Sequence, residues 1–263
     1  MPEVEIANGQ MFYEIDGEGE PLLLIHGVRG TIRNWQYLRP HLRQHFQLIL
    51  PESRGHGRST PISEVVKMDL FAQDMAALLD ELKITECIVA GHSMGGFIAQ
   101  HMALDQPQRV KTLILIDTAP LVDVEAAKAQ IEAGQLAYES DPEKAVETLL
   151  GFAFYDPEKI RNTPGMLDLL LFGQHEARRL ALSHAYAQGA CASFNLQERV
   201  HEIKQPTLVI IAAQDDTFPV KWGDFYQEHL ENVTVQIIDG SNHVIVFEQP
   251  EALAQTIIDY VNP

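Results

Sequence analysis

The sequence predicts an α/β fold in which a mostly parallel, eight-stranded sheet is flanked by helices. Two observations support this prediction. Short apolar runs that favour β-structure alternate with helical stretches along the chain, and residues 121–200 contain no convincing strand. Alternating strands and helices are typical of a parallel sheet with helices on both faces. The length of 263 residues suits one large α/β domain with a substantial core.

The predicted strands are short apolar runs. They cover residues 4–7, 11–15, 22–25, 46–50, 88–90, 112–116, 207–212 and 233–238. Asn8-Gly9, between the first two runs, is a tight hairpin signal, so these two strands are expected to form an antiparallel edge of the sheet. Helices are predicted at residues 70–82, where apolar residues recur at helical spacing, and at residues 97–104 and 252–260.

Residues 91–95 form the pentapeptide Gly-His-Ser-Met-Gly, which matches the pattern G-x-S-x-G. An apolar run precedes it and a helical run follows it, which is the strand–turn–helix context of a nucleophile elbow. In such a turn the glycines let strand and helix approach closely. The helix N-terminus then directs free N–H groups at negative charge beside the serine. Ser93 is therefore the candidate nucleophile.

Residues 121–200 interrupt the alternation, and they are expected to form a helical lid inserted after the sixth strand. Asp141-Pro142-Glu143 and Asp156-Pro157-Glu158 are two helix starts, with Asp as N-cap and Pro at the first helical position. A further helix is predicted at residues 176–188. The segment should cover the edge that carries Ser93, above a core made of residues 1–120 and 201–263.

A serine hydroxyl needs a base to accept its proton, and that base needs a third group to orient it. His243 is the candidate base among eleven histidines, because it lies between the last predicted strand and the last helix. Asp215, just after the seventh strand, is the favoured acid, and Asp216 and Asp117 are the alternatives. The order Ser, Asp, His along the chain is a known order for a catalytic triad.

Two backbone N–H groups are predicted to stabilise the oxyanion that forms when the serine attacks a carbonyl. One belongs to Met94, directly after the nucleophile, and the other to Val28, in the loop after the third strand. Loss of one such donor typically costs about 3 kcal/mol of transition-state stabilisation. Because the donors are backbone groups, the side chains at both positions are free to vary.

Charge and composition argue against several classes of partner. The formal net charge of −18 disfavours nucleic acids and anionic membranes, because both require basic patches. No apolar run approaches the ~20 residues of a membrane span, and the first residues do not read as a signal peptide. Cys87 and Cys191 are far apart in sequence, so a disulfide framework is not expected and the cytoplasm is the simplest location.

These motifs resemble those of serine hydrolases with the α/β-hydrolase fold. The most similar branch contains 3-oxoadipate enol-lactonases, small carboxylesterases, carbon–carbon bond hydrolases and cofactor-free haloperoxidases. Outside the elbow, the matching residues are His26-Gly27, Asn34-Trp35, residues 51–59, residues 106–110, Asp215 with Pro219, and His243 with Glu248-Gln249-Pro250. The resemblance covers nearly the whole chain apart from the lid. It implies the α/β-hydrolase fold and a Ser–Asp–His mechanism that needs neither a metal nor an organic cofactor.

Three residues depart from the pattern of these hydrolases. Glu52 stands where an Asp is usual, Ala212 where a Gly usually opens the acid loop, and Asn242 where a Gly often precedes the histidine. None of them removes a catalytic group, so the triad assignment is unaffected. Haloalkane dehalogenases and epoxide hydrolases of this fold carry Asp at the elbow, and Ser93 therefore argues against those activities.

Substrate choice is expected to depend on side chains above the nucleophile. The candidates to line an apolar pocket there are Trp35, Phe154, Phe218 and Val244. Arg29, beside the predicted Val28 donor, is a candidate to bind a substrate carboxylate. The alternative for Arg29 is that it points to solvent or pairs with a surface carboxylate.

The sequence thus predicts a hydrolase of carboxylic esters or lactones that acts on a small-molecule substrate through an acyl-enzyme. A carbon–carbon bond hydrolase or a cofactor-free perhydrolase with the same triad is the alternative, since substrate choice depends on the lid. A third hypothesis is a slow or non-catalytic receptor that binds a small ligand, and the intact triad argues against it. The oligomeric state is left open.

Overall fold

A computed structural model describes residues 2–123 and 142–262, and an eight-stranded sheet lies at its centre. The strands are β1 (Glu3–Ile6), β2 (Gly9–Asp16), β3 (Glu20–Ile25), β4 (Phe46–Pro51), β5 (Cys87–His92), β6 (Val110–Ile116), β7 (Thr207–Ala212) and β8 (Val233–Ile238). Their order across the sheet is β1-β2-β4-β3-β5-β6-β7-β8. β2 runs antiparallel to both of its neighbours, and the pairings from β4 to β8 are all parallel. The prediction of a mostly parallel sheet is therefore confirmed.

The predicted hairpin at Asn8-Gly9 forms the antiparallel edge of this sheet. Asn8 has φ of 63°, a left-handed conformation that Asn tolerates better than most residues. The turn pairs Ile6 with Gly9 and Glu3 with Phe12. Both the hairpin and its edge position follow the sequence prediction.

Helices in the described parts of the chain connect and cover these strands. The α-helices are α1 (Arg39–Leu42), α2 (Met68–Glu81), α3 (Met94–Asp105), α4 (Pro142–Ala153), α5 (Pro157–Asn162), α6 (Met166–Arg179), α7 (Ala181–Ala192), α8 (Lys221–His229), α9 (Ile245–Glu248) and α10 (Pro250–Val261). The three helices predicted for the regions of α2, α3 and α10 are confirmed, with ends that differ by a few residues. None of the helices described has the length and apolar composition needed to cross a membrane.

The sheet separates two apolar clusters, as expected for strands buried on both faces. Along β3 the side chains alternate: Leu22 and Leu24 enter one cluster, and Leu23 and Ile25 enter the other. The first of these clusters also receives side chains from α4, α5 and α6, and the second receives side chains from α7. The helices between β6 and β7 are thus packed against the core from both sides of the sheet.

The two ends of the segment between β6 and β7 are paired with each other outside the sheet. An isolated antiparallel bridge joins Leu121 to Asn195. Beside it, the Leu196 N–H donates to the Pro120 carbonyl at 2.7 Å. Within the segment, the predicted cap of α5 is present, because the Asp156 carboxylate accepts the Lys159 N–H at 3.0 Å. Asp141, the other predicted cap, lies outside the described residues, as do residues 124–140.

The single helix predicted at residues 176–188 is wrong. α6 ends at Arg179 and α7 begins at Ala181, with Leu180 between them at φ −109° and ψ 23°. Leu180 is buried, and so is Ser183 in the first turn of α7. There the Ser183 hydroxyl accepts the Ile62 N–H at 2.8 Å and donates to the Gly55 carbonyl at 3.1 Å. Tertiary contacts therefore override the local helical pattern.

Candidate active site

Ser93 occupies a strained turn between β5 and α3. Its φ of 54° and ψ of −119° lie outside the regions favoured by residues with a side chain. The Ser93 N–H donates to the Ile116 carbonyl at 3.0 Å, and the Ser93 carbonyl accepts the Thr118 hydroxyl at 2.9 Å and the Gly96 N–H at 2.8 Å. These bonds to β6, to the loop after it and to α3 hold the backbone in this conformation.

Glycines on either side of Ser93 make the turn possible. A Cβ on Gly91 would overlap the carbonyl of Gly95, and a Cβ on Gly95 would overlap the carbonyl oxygen of Ile25 in β3. Since only a hydrogen atom fits at these two positions, β5 and α3 pack in direct backbone contact. The G-x-S-x-G spacing therefore has the structural role that the sequence predicts for it.

The structure brings Ser93, His243 and Asp215 together. His243 Nε2 lies 3.1 Å from Ser93 Oγ, and His243 Nδ1 lies 3.0 Å from Asp215 Oδ2. The other carboxylate oxygen of Asp215 accepts the N–H groups of Thr217 at 2.7 Å and Phe218 at 2.9 Å. An ionised carboxylate only accepts hydrogen bonds, so the histidine proton lies on Nδ1 and Nε2 is left to accept from the serine hydroxyl.

The Asp215 carboxylate is ionised in this environment. Burial acts to raise its pKa, but the adjacent His243 and the hydrogen bonds from the ring and from the Phe218 and Thr217 N–H groups outweigh burial and hold the pKa below its ordinary value. A charged acid beside the imidazole stabilises the imidazolium that forms when the serine loses its proton. The electrostatics therefore suit a nucleophilic serine.

The two alternative acids lie elsewhere. Asp216 is exposed, and its backbone N–H donates to the side chain of Asn242 at 3.3 Å. Asp117 is fully buried at the end of β6, where one of its oxygens accepts the Ala212 N–H at 2.7 Å. Burial, with a further contribution from the charge of Asp215, raises the pKa of Asp117 well above its ordinary value. Neither carboxylate is hydrogen-bonded to His243.

Two residues that the sequence did not single out hold the backbone around His243. His92 Nε2 donates to the His243 carbonyl at 2.8 Å, and the Asn242 side chain accepts the His243 N–H at 2.7 Å. Burial is the main cause that lowers the pKa of His92 to about 3, so this ring is neutral. The sequence signals for both are weak: His92 is the variable residue of the elbow, and Asn242 is marked only by standing where a glycine is common.

The predicted oxyanion donors lie beside Ser93. Met94 is the first residue of α3, where helix N–H groups have no intrahelical acceptor. A Cβ added to Gly27 would lie 3.2 Å from Ser93 Cβ, so the loop that contains Val28 passes directly alongside Ser93. Val28 and Met94 both line the cavity that opens above the serine.

A cavity of about 300 Å³ lies above Ser93 and His243. The core contributes the loop after β3, the elbow and the loops that follow β7 and β8, whereas α4, α6 and α7 contribute the opposite wall. The predicted pocket residues Arg29, Phe154, Phe218 and Val244 all line it. Phe218 also contacts the ring of His243, with their ring centroids 5.5 Å apart.

Trp35 is not brought to this cavity, so its placement in the pocket requires correction. Its side chain is fully buried in the apolar cluster that contains Leu38 and Phe46, on one face of the sheet. It ends a 3₁₀ turn, Ile32–Trp35, in which Arg33 and Asn34 line the cavity and Trp35 is buried in the core. Arg29 does line the cavity, and its guanidinium donates to the Gln188 side chain of α7 at 3.1 Å.

A larger groove of about 860 Å³ adjoins the cavity but contains none of the three triad residues. Its walls carry Arg39, Arg58 and Arg179, each of which is paired with a carboxylate. Thr31, Arg33 and Phe172 line both spaces, and the Arg33 guanidinium lies 4.1 Å from the centre of the Phe172 ring. The smaller cavity is therefore the candidate catalytic site in spite of its size.

Four buried histidines are expected to make the stability of the fold sensitive to acid. Burial is the main cause that lowers the pKa to about 4 in His26, about 3 in His56 and His92, and about 2 in His184. Unfolded histidines have a pKa of about 6.5, so below that pH the unfolded chain binds protons that the native state does not. The free energy of unfolding should therefore fall as the pH drops from about 6.5 towards 4, by up to ~1.4 kcal/mol per pH unit for each histidine.

Urea unfolding at pH 7.5 and pH 5.0 measures this effect. His184→Gln should reduce the loss of stability between the two values of pH, whereas His45→Gln, at an exposed position, should leave it unchanged. Equal losses in both variants would show that the buried ring does not contribute.

No group of three or more His, Cys, Asp or Glu side chains within residues 2–123 and 142–262 is arranged to hold a metal ion.

Comparison with known proteins gives consistent matches to one fold. A family model described as alpha/beta hydrolase fold matches residues 20–250. 3-oxoadipate enol-lactonase 2 of Acinetobacter baylyi is 28% identical over 239 residues, which cover 90% of this chain and 87% of that protein. Pimeloyl-(acyl-carrier protein) methyl ester esterase of Yersinia enterocolitica is 27% identical over 257 residues, which cover 95% and 97% of the two chains. The solved structure of the enol-lactonase from Burkholderia xenovorans covers 100% of both chains with a TM-score of 0.88 at 20% identity.

Proposed function

Because this chain belongs to the alpha/beta hydrolase fold family, we propose that it is a serine hydrolase that cleaves carboxylic ester or lactone bonds. The observation that carries this proposal is the relay of Ser93 Oγ, His243 Nε2 and Asp215, with distances of 3.1 Å and 3.0 Å between the paired atoms. The names of the two curated relatives, an enol-lactonase and a methyl ester esterase, agree with hydrolysis of this class of bond.

The proposed reaction proceeds through an acyl-enzyme. Ser93 Oγ attacks the carbonyl carbon while its proton passes to His243 Nε2, and Asp215 stabilises the imidazolium. The N–H groups of Val28 and Met94 then stabilise the oxyanion. His243 returns the proton to the leaving alkoxide as the C–O bond breaks. A water molecule then attacks the acyl-enzyme while its proton passes to His243, and His243 gives that proton to Ser93 Oγ as the acyl–oxygen bond breaks, which releases the acid and the free serine.

We further propose that residues 121–200 act as a lid on a core formed by residues 1–120 and 201–263. The position of the cavity, between the triad and the helices that follow β6, supports this division. The proposed substrate contacts are Arg29, Phe154, Phe218 and Val244.

Both cysteines are free thiols, which agrees with a location in the cytoplasm.

Short acyl groups are expected to be the better substrates. The cavity of about 300 Å³ is at the lower end of the range of roughly 300–1,000 Å³ for small-molecule sites. Among p-nitrophenyl esters from acetyl to dodecanoyl, kcat/KM should therefore be at least about tenfold higher for the short esters. Simple lactones and enol lactones complete the panel.

The same panel tests the proposed function. If kcat/KM were highest for the dodecanoyl ester, the expected preference for short acyl groups would be wrong, but the proposed ester hydrolysis would stand. No turnover of any ester or lactone by the folded protein would contradict the proposed function. Turnover of ring-cleavage diketones in that case would indicate a carbon–carbon bond hydrolase instead.

A further inference from the structure

Glu248, the last residue of α9, has a buried carboxylate that joins two distant segments of the chain. Glu248 is only 1% exposed to solvent. One carboxylate oxygen accepts the N–H groups of Tyr155 at 2.9 Å and Asp156 at 3.0 Å. The other oxygen accepts the N–H of Asn242 at 2.8 Å. No ion pair with a cation is seen for this carboxylate among the described residues. Burial raises the pKa of Glu248 above its ordinary value and outweighs the three backbone donors and the Ser241 side chain, which favour the charged form.

Asn242 connects this carboxylate to the catalytic base. Its backbone N–H donates to Glu248, while its side-chain oxygen accepts the N–H groups of His243 at 2.7 Å and Asp216 at 3.3 Å. One residue thus links Glu248 both to the base and to the loop that carries Asp215. A glycine at position 242 has no side-chain acceptor for either N–H group.

The other two donors belong to the turn between α4 and α5. Phe154, the first residue of this turn, lines the catalytic cavity. Asp156 caps α5 through its own carboxylate, and Lys159 of α5 donates to the backbone carbonyl of Glu248. Glu248 therefore bonds both to the wall of the cavity near Phe154 and to the loop that carries His243.

We propose that Glu248 is a positioning residue that couples the docking of the turn at residues 154–156 to the placement of His243. This inference rests on the proposed function, because it assigns a role for Glu248 in the same reaction. A buried carboxylate is costly unless hydrogen bonds satisfy its oxygens. If the turn leaves, Glu248 loses two of its three backbone donors, and its carboxylate is no longer fixed in the orientation that receives the Asn242 N–H. The position of His243 is therefore most tightly constrained when the turn at residues 154–156 is hydrogen-bonded to Glu248.

Glu248→Gln tests this coupling because it keeps the size of the side chain and removes the charge. It also replaces one acceptor oxygen by an NH₂ group, which cannot accept a hydrogen bond from a backbone N–H. The variant should lower kcat for p-nitrophenyl acetate by about tenfold or more, since small displacements of a catalytic group carry large penalties. KM should change much less, because Glu248 does not line the cavity. Glu251→Gln, at an exposed position on α10, is the matched control and should keep the kcat of the unaltered protein.

A double-variant cycle separates positioning from general destabilisation. Asn242→Gly removes the acceptor of the His243 N–H but keeps the backbone donor to Glu248, so it should lower kcat on its own. If Glu248 acts through Asn242, the double variant should lose less activity than the product of the two single losses. Multiplicative losses, or an unchanged kcat in folded Glu248→Gln, would overturn the proposal.

Hydrogen exchange gives a second readout that does not depend on turnover. Glu248→Gln should accelerate exchange in peptides that cover residues 154–157 and in those that cover residues 241–244, while exchange in β5 stays unchanged. Accelerated exchange at only one of the two segments would refute coupling. Acceleration throughout the chain would show a structural role only. Because this result is independent of any substrate, it distinguishes a failure of the coupling from a failure of the proposed function.

Discussion

Replacing Ser93 by alanine is expected to lower kcat/KM for short p-nitrophenyl esters by about 10⁴-fold or more, which is the range found when a triad nucleophile is removed. The change deletes one oxygen, whose partner is His243 Nε2 at 3.1 Å. The backbone bonds that hold the elbow remain, because they involve the N–H and carbonyl of residue 93. The fold should therefore survive while the attack on the carbonyl is lost.

Ester hydrolysis and labelling by a fluorophosphonate together provide the measurement. The reagent should form a covalent adduct with the unaltered protein and none with Ser93→Ala. Ser193→Ala removes a hydroxyl at the exposed end of α7, and it should keep both turnover and labelling within about twofold. If Ser93→Ala retained more than about a tenth of the kcat/KM, another group would be the nucleophile.

Gly95→Ala is expected to lower the free energy of unfolding by about 3 kcal/mol or more, because overpacking against backbone cannot be relieved by a rotamer change. The added Cβ would overlap the Ile25 carbonyl oxygen and would lie 3.0 Å from the His26 carbonyl oxygen. Relief would require α3 to move away from β3. Such a movement would also displace the Met94 N–H, so the catalytic rate should fall together with the stability.

Gly151→Ala is the matched control for this substitution. Gly151 lies within α4, and a Cβ added there has no neighbour within 4 Å. Alanine should therefore raise the free energy of unfolding by roughly 0.5–1 kcal/mol through helix propensity. Urea unfolding of both variants measures the contrast. Similar effects at the two positions would mean that the close packing at the elbow does not constrain residue 95.

Local signals explain why most of the framework was predictable from the sequence. The apolar runs identify strands, and Asn8-Gly9 identifies the hairpin, because both depend on neighbouring residues alone. The triad positions follow from topology, since the carboxyl ends of parallel strands meet at one edge of the sheet. Ser93, Asp215 and His243 each follow one of these strands, and the structure brings their side chains together.

Long-range packing explains what the sequence did not reveal. The break at Leu180 depends on how α7 meets the core, and the burial of Trp35 depends on the direction of one side chain in a 3₁₀ turn. The bond between the Tyr155 N–H and Glu248 joins residues 93 positions apart. The helix start at Asp156-Pro157-Glu158 and the run Glu248-Gln249-Pro250 do not indicate that contact, so only the folded arrangement identifies it.

The bridge between Leu121 and Asn195 has a consequence for how this chain can diversify. Leu121 and Asn195 are paired outside the sheet, and backbone hydrogen bonds beside them hold the two ends of the segment together. The entropy of closing such an excursion grows slowly with its length, at roughly 0.6 kcal/mol for each doubling. Insertions, deletions or exchange of the whole segment at these two residues can therefore remodel one wall of the cavity while β6 and β7, and the side chains they position, keep their register.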